Sequence, residues 1–146
     1  MSESRKVKIV SQSGRLPAYE TAGSAGMDLR AYLDEPVTIN PMERKLIPTG
    51  IFIQLPKGYE AQVRARSGLA IKKGIGLVNG IGTVDSDYRG ELLIPMINWG
   101  QEPFVIRDGD RIAQLVIASY ARVEWERSDA LEETERGTGG FGHTGV

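Results

Sequence analysis

NGIGTVDSDYRGE at 79–91, followed by LLIPMI at 92–97, is apolar up to Val84. It turns acidic and polar through Asp85, Ser86, Asp87, Tyr88, Arg89 and Gly90, and is apolar again from Leu92 to Ile97. Two extended runs around a polar turn predict a β-hairpin. Its tip gathers two carboxylates, a phenol ring and several glycines. Backbone groups, a candidate general base in Asp85 and a flat ring in Tyr88 therefore sit close together. Turn chemistry alone also selects Asp and Gly, so the meaning of this tip depends on the rest of the chain.

Outward from it, 18 glycines and seven prolines punctuate short apolar stretches. They recur about every ten residues, the rhythm of an all-β sandwich or barrel. Strands are expected at Lys6–Val10, Met27–Ala31, Val37–Asn40, Arg44–Ile47 and Ile51–Leu55. Others are expected at Tyr59–Arg66, Pro103–Arg107 and Arg111–Ser119, the last two joined by the turn Arg107-Asp108-Gly109-Asp110. Tyr59 to Arg66 alternates strictly, with Tyr59, Ala61, Val63 and Ala65 on one face and Glu60, Gln62, Arg64 and Arg66 on the other, so one face is buried and one is wet. It runs into SGLAIKKG at 67–74, where Ser67 is expected to cap one short helix that Gly74 ends.

Composition excludes several classes. A chain of 146 residues is most simply one domain. With a net charge of −1 and no long Lys/Arg run, it lacks the electrostatic footprint of a nucleic-acid binder. No cysteine and a single histidine exclude disulfides and a Cys/His zinc site within one chain, and with it zinc-dependent base deamination. No apolar stretch approaches membrane-spanning length, and MSESRKVKIV lacks the apolar core of a signal peptide. The expectation is a soluble, cytoplasmic or otherwise intracellular protein with no membrane partner.

Three further places invite chemistry. Arg66, Ser67 and Gly68 combine a guanidinium, a hydroxyl and helix-start N–H groups into a candidate anion cradle, although the same residues also serve as an ordinary strand-to-helix junction. Gln114 is the one polar side chain within IAQLVI at 112–117; it either bonds neighbouring backbone or points at a ligand. EWERSDALEETER at 124–136 reads as a solvated linker. RGTGGFGHTGV at 136–146 cannot form a core and carries one large apolar residue, Phe141. Its G-x-G-x-x-G spacing lacks the strand and helix of a dinucleotide fold, so the choice is between a mobile tail and a closing lid.

AGMDLRA at 25–31, ARSGLA at 65–70, NGIGTVDSDYRGE at 79–91, GDRIAQLV at 109–116 and RGTGGFGHTG at 136–145 together resemble, in sequence and order, the motifs of the trimeric dUTP pyrophosphatases, the dUTPases. The resemblance runs from about Pro17 to the C-terminus. It implies an all-β fold, an antiparallel jelly-roll-like β-barrel with one short helix. It also implies a homotrimer with shared active sites, in which residues 1–123 form the barrel and 124–146 form a linker and lid reaching a neighbour. The reaction implied is hydrolysis of dUTP to dUMP and pyrophosphate. Asp85 holds the water that attacks the α-phosphorus, a task suited to carboxylates because they are ionised at neutral pH.

The resemblance further implies that Tyr88 packs against the deoxyribose and excludes a 2′-hydroxyl, and that Asn79 and the main chain at Thr83 and Val84 read the uracil edge, where a 5-methyl group would have no room. By the same resemblance Asp28 would meet Mg²⁺ through water, the ion being held by the triphosphate. Arg66, Ser67, Gly68 and Gln114 would grip phosphates; Arg136 and Thr144, with tail backbone at Gly142 and His143, would hold the γ-phosphate while Phe141 stacks on the base. Two positions depart from the family pattern, Ala65 where proline is usual and His143 where serine is common. The rivals are a dCTP deaminase, whose base-pocket machinery differs from DSDYRGE and GGFGHTG, and a catalytically idle trimer, which would not need Asp85, Arg66 and Phe141 together.

Overall fold

The computed structural model describes residues 4–145. Met1 to Glu3 of the N-terminal stretch and Val146 at the end of the tail lie outside the described residues. In chain order the elements are β1 (Lys8–Ser11), β2 (Gly26–Arg30), β3 (Val37–Ile39), β4 (Arg44–Pro48), β5 (Ile51–Gln54) and β6 (Tyr59–Arg64). The short helix α1 (Ser67–Lys73) follows, then β7 (Ile75–Leu77), β8 (Gly82–Val84), β9 (Leu93–Asn98), β10 (Phe104–Ile106) and β11 (Arg111–Ser119). Every ladder is antiparallel. The strands fall into four sheets, β2-β11-β6-β8, β4-β9-β7, β1-β5 and β10-β3. The fold is therefore mostly β with one short helix, built from separate sheets rather than one closed barrel ladder.

One core joins these layers. Leu29, Ile39, Ile47, Ile75, Ile94, Met96, Ile106 and Ile112 are almost wholly removed from water. The alternation along β6 is realised: Ala61 and Val63 are buried while Arg64 faces solvent. Asn98, the largest polar side chain in the interior, satisfies both ends of its amide. Its Nδ2 donates to Ile39 O at 2.9 Å and Glu102 O at 2.7 Å, and its Oδ1 accepts from Gly100 N at 2.8 Å, as a buried amide must.

The hairpin expected at 79–97 does not form. β8 pairs with β6, whereas β9 pairs with β4 and β7. The connection from Asp85 to Leu92 is longer than a tight hairpin loop, and Leu92 is itself 3% exposed. Thr49 Oγ1 donates to Leu92 O at 2.6 Å and Leu92 N donates to Ile51 O at 2.8 Å. The chain is thereby fastened to the β4–β5 turn and delivered into a second sheet. Likewise Arg107–Asp110 is a turn, closed by Asp110 N on Arg107 O at 3.1 Å, but β10 joins β3 while β11 joins β2 and β6.

α1 begins with Arg66, not Ser67, in the cap position, in extended backbone and with no side-chain cap bond. Gly74 ends it in the left-handed conformation at φ 69°, as expected of a C-terminal glycine. Lys72 and Lys73 occupy the last turn, where the helix dipole favours cations.

Candidate active site

The acidic connection is a built turn. Tyr88 N donates to Asp85 O at 3.1 Å, Tyr88 Oη donates to Glu91 O at 2.9 Å, and Arg89 Nη1 donates to Ser86 O at 2.7 Å. The Tyr88 phenol lies across Gly90 so closely that a Cβ there would collide with the ring and its hydroxyl. Gly90 thus supplies room for the tyrosine rather than an unusual backbone angle. Glu91 is turned inward, its Oε2 accepting from Gly50 N at 3.4 Å.

Beside this turn lies a pocket of about 260 Å³ lined by Val63, Asn79, Gly82, Thr83, Val84, Asp85, Tyr88 and Leu92, among others. Gly80, at φ 75°, turns the chain between β7 and β8. A Cβ on Gly82 would press on Val63 and approach the Asn79 amide. The pocket combines an apolar floor, an amide, exposed strand backbone, a carboxylate and a phenol. Its volume is at the small end of ligand pockets.

A second group forms on the sheet β2-β11-β6. Register places Asp28 across from Gln114, and Gln114 across from Arg64. Arg66 Nε lies 3.5 Å from Asp28 Oδ1, Arg111 Nη1 lies 3.6 Å from Asp28 Oδ2, and Arg66 Nη1 donates to Arg111 O at 3.2 Å. The Asp28 side chain is only 10% exposed. Gln114 is half-buried, less enclosed than its all-apolar strand suggested. Ser67 and Gly68 are exposed at the start of α1. Two arginines around one carboxylate, with the exposed start of α1 directly following Arg66, make a surface suited to anions that carry a cation with them.

The tail residues join neither group. Among the described residues, the hydrogen bonds from Ser128 to Gly145 close on nearby residues of the same segment. Arg136 Nε donates to Gly139 O at 2.8 Å, the His143 ring covers Gly139, and Phe141, at φ 48°, is fully exposed. Arg136, Phe141, Gly142, His143 and Thr144 are all presented to solvent.

The two groups on the body also lie apart. Val84 sits across from Ala61 in the antiparallel β6–β8 ladder, so Asp85 continues toward Glu60, six positions from Arg66, which lies just past the end of β6. At ~3.3 Å per residue, Asp85 and Arg66 are about 20 Å apart along the strand direction. Arg111, unassigned in the sequence reading, emerges as a partner of Asp28; its place three residues before Gln114 in GDRIAQLV was the available signal. Glu91 escaped notice because acidic residues near a turn look solvated.

Comparison with known proteins bears on both groups. Residues 12–145 match the family model for dUTPase. The deoxyuridine 5'-triphosphate nucleotidohydrolase of Finegoldia magna is 55% identical over 96% of this chain and 99% of its own length. That of Maricaulis maris is 63% identical over 90% and 88%. The Staphylococcus bacteriophage 80alpha dUTPase, solved with dUPNHPP, superposes with a TM-score of 0.88 at 26% identity, covering 98% of this chain and 100% of that one. Carrying the motifs in order on a fold that superposes over its whole length, this chain belongs to the dUTPase family.

Proposed function

We propose that the protein hydrolyses dUTP to dUMP and pyrophosphate, supplying dUMP for dTMP synthesis and keeping uracil out of DNA, as a homotrimer in the cytoplasm. The observation that carries this is the one pocket lined by Asn79, Thr83, Val84, Asp85 and Tyr88. It brings base-reading amide and backbone groups beside a carboxylate. Uracil pairs with Asn79 and the β8 backbone, and the Tyr88 ring, braced on Gly90, meets the sugar where a 2′-hydroxyl would stand. Asp85 orients a water toward the α-phosphorus and takes its proton. The bond from that phosphorus to the oxygen bridging to the β-phosphorus breaks, and pyrophosphate leaves with the pair of electrons.

Arg66, Ser67, Gly68 and Gln114 hold the phosphates. Among the described residues no three His, Cys, Asp or Glu side chains cluster into a cage for a metal. A single carboxylate, Asp28, fits an ion that arrives on the triphosphate and keeps its waters. An ion held beside Asp28 would supply neutralisation of phosphate charge.

The separation of Asp85 from Arg66 within one chain supports sites completed between chains, with Asp85 from one copy facing Arg66 of another. The division into a body (1–123) and an arm (124–146) supports the same view: Trp125 and Leu131 are about 90% exposed in an otherwise charged segment, anchors suited to a neighbouring copy. On that neighbour, Phe141 stacks on the uracil while Arg136, Thr144 and the backbone at Gly142 and His143 close over the γ-phosphate.

The test is pyrophosphate release from dUTP, dCTP, dTTP and UTP in parallel, with Mg²⁺ and with a chelator. Release confined to dUTP and dependent on magnesium is expected. Binding of dUTP without cleavage, or consumption of dCTP, would overturn the assignment.

A further inference from the structure

Arg15 belongs to none of the motifs, yet it is held from three sides. Its N–H donates to Ser13 Oγ at 3.1 Å and its carbonyl accepts from Ser11 Oγ at 2.6 Å. Its Nη2 donates to Ala31 O at 3.1 Å and to Asp108 Oδ1 at 3.1 Å, and Nη1 reaches Asp108 Oδ2 at 3.4 Å. Asp108 is fixed in turn by Leu33 N, which donates to Oδ1 at 3.0 Å. After all this, Arg15 Nε remains buried without a hydrogen-bond partner. Asp28 Oδ1 is the other buried side-chain polar atom in that condition among the described residues. Arg15 and Asp28 both line one recess of about 20 Å³, together with Ser13 and Thr49. That volume accommodates a single water. One atom is an obligate donor and the other an acceptor, so a water between them satisfies both.

We infer that this recess is a fixed water site joining Arg15 Nε to Asp28 Oδ1, and that Arg15 is a positioning residue for Asp28. The water accepts from Arg15 Nε and donates to Asp28 Oδ1. Oδ1 is then held between that water and Arg66 Nε at 3.5 Å, which fixes the rotation of the carboxylate and leaves Oδ2, 3.6 Å from Arg111 Nη1, to meet the hydration shell of the ion. Partners one step removed from a metal's own contacts set its affinity by fixing their orientation. The role in metal binding rests on the assignment of Asp28 to Mg²⁺ made above.

Two measurements test it. In a high-resolution crystal structure of the unaltered protein, density for one water between Arg15 Nε and Asp28 Oδ1 is expected; direct contact of the two side chains, or a recess without density, overturns the site. In solution, affinity for the imido analogue of dUTP is titrated against magnesium without turnover. Arg15→Lys keeps the charge facing Asp108 but loses Nε. It is expected to raise the magnesium needed for half-maximal tightening by roughly ten-fold and to leave affinity in chelator unchanged.

An equal loss with and without metal indicates a structural role only and overturns positioning. The two levels of failure separate. Analogue binding that ignores magnesium in the unaltered protein overturns the assignment of Asp28. A normal magnesium response in Arg15→Lys, with that of the unaltered protein intact, overturns the role of Arg15 alone.

Discussion

Tyr88 and Gly90 act as one unit. A β-carbon at position 90 would occupy the space of the phenol, so Gly90→Ala is expected to push Tyr88 away from the pocket without touching the core. On the proposed reading, in which the phenol excludes a 2′-hydroxyl, the preference for dUTP over UTP should fall by roughly ten-fold or more, while the thermal midpoint moves little. Competing hydrolysis of the two nucleotides, read beside a melting curve, checks both statements. Asp85 is exposed at the pocket's rim, and among the described residues none donates a hydrogen bond to its carboxylate. Asp85→Asn should retain affinity for the imido analogue and lose roughly 10²- to 10⁴-fold in turnover. Turnover near that of the unaltered protein would remove the base from the mechanism.

At the scale of elements, the turn between β10 and β11 clamps the loop that leads into β2. The Arg15 guanidinium beside Asp108, with the Leu33 N–H, holds the Asp108 carboxyl below its ordinary range. A carboxyl depressed in the folded state stabilises the fold above its unfolded value, ~3.9, and that stabilisation fades as pH falls through the folded value. Asp108→Asn should therefore melt earlier than the unaltered protein at neutral pH, and the gap should narrow below about pH 4. Melts followed by circular dichroism from pH 3 to 7 decide this.

Strands such as β6 and β11 were legible because alternation and apolar runs are written locally. Which strands pair was not. Val84 and Leu93 look like two sides of a hairpin until Thr49, far away in sequence, takes hold of Leu92. β7 escaped because Ile75-Gly76-Leu77 is too short to show a period. The candidate residues stood out through their motifs, whereas the ion pairs of Asp28 with Arg66 and Arg111 depend on sheet register, which no local pattern encodes.

For the whole molecule, the arm is the part with the least internal support. Residues 121–145 contain no strand or helix and are almost entirely exposed, so the body of this chain does little to order them; on the proposed reading they close over a neighbour's site. Truncation before Arg136 is expected to leave the melting temperature nearly unchanged and to slow dUTP hydrolysis by at least roughly 100-fold. Normal hydrolysis by the shortened protein would make the arm a spectator. The distance between Asp85, just past β8, and Arg66, just past β6, has a genetic consequence. If each site draws the two from different copies, Asp85→Asn and Arg66→Ala chains, each inactive alone, should rescue one another when unfolded and refolded as an equal mixture. Random assortment leaves about one site in four with both residues intact, so the mixed preparation should regain about a quarter of normal activity. No recovery from a mixture shown to have exchanged subunits would mean that each chain carries its own complete site.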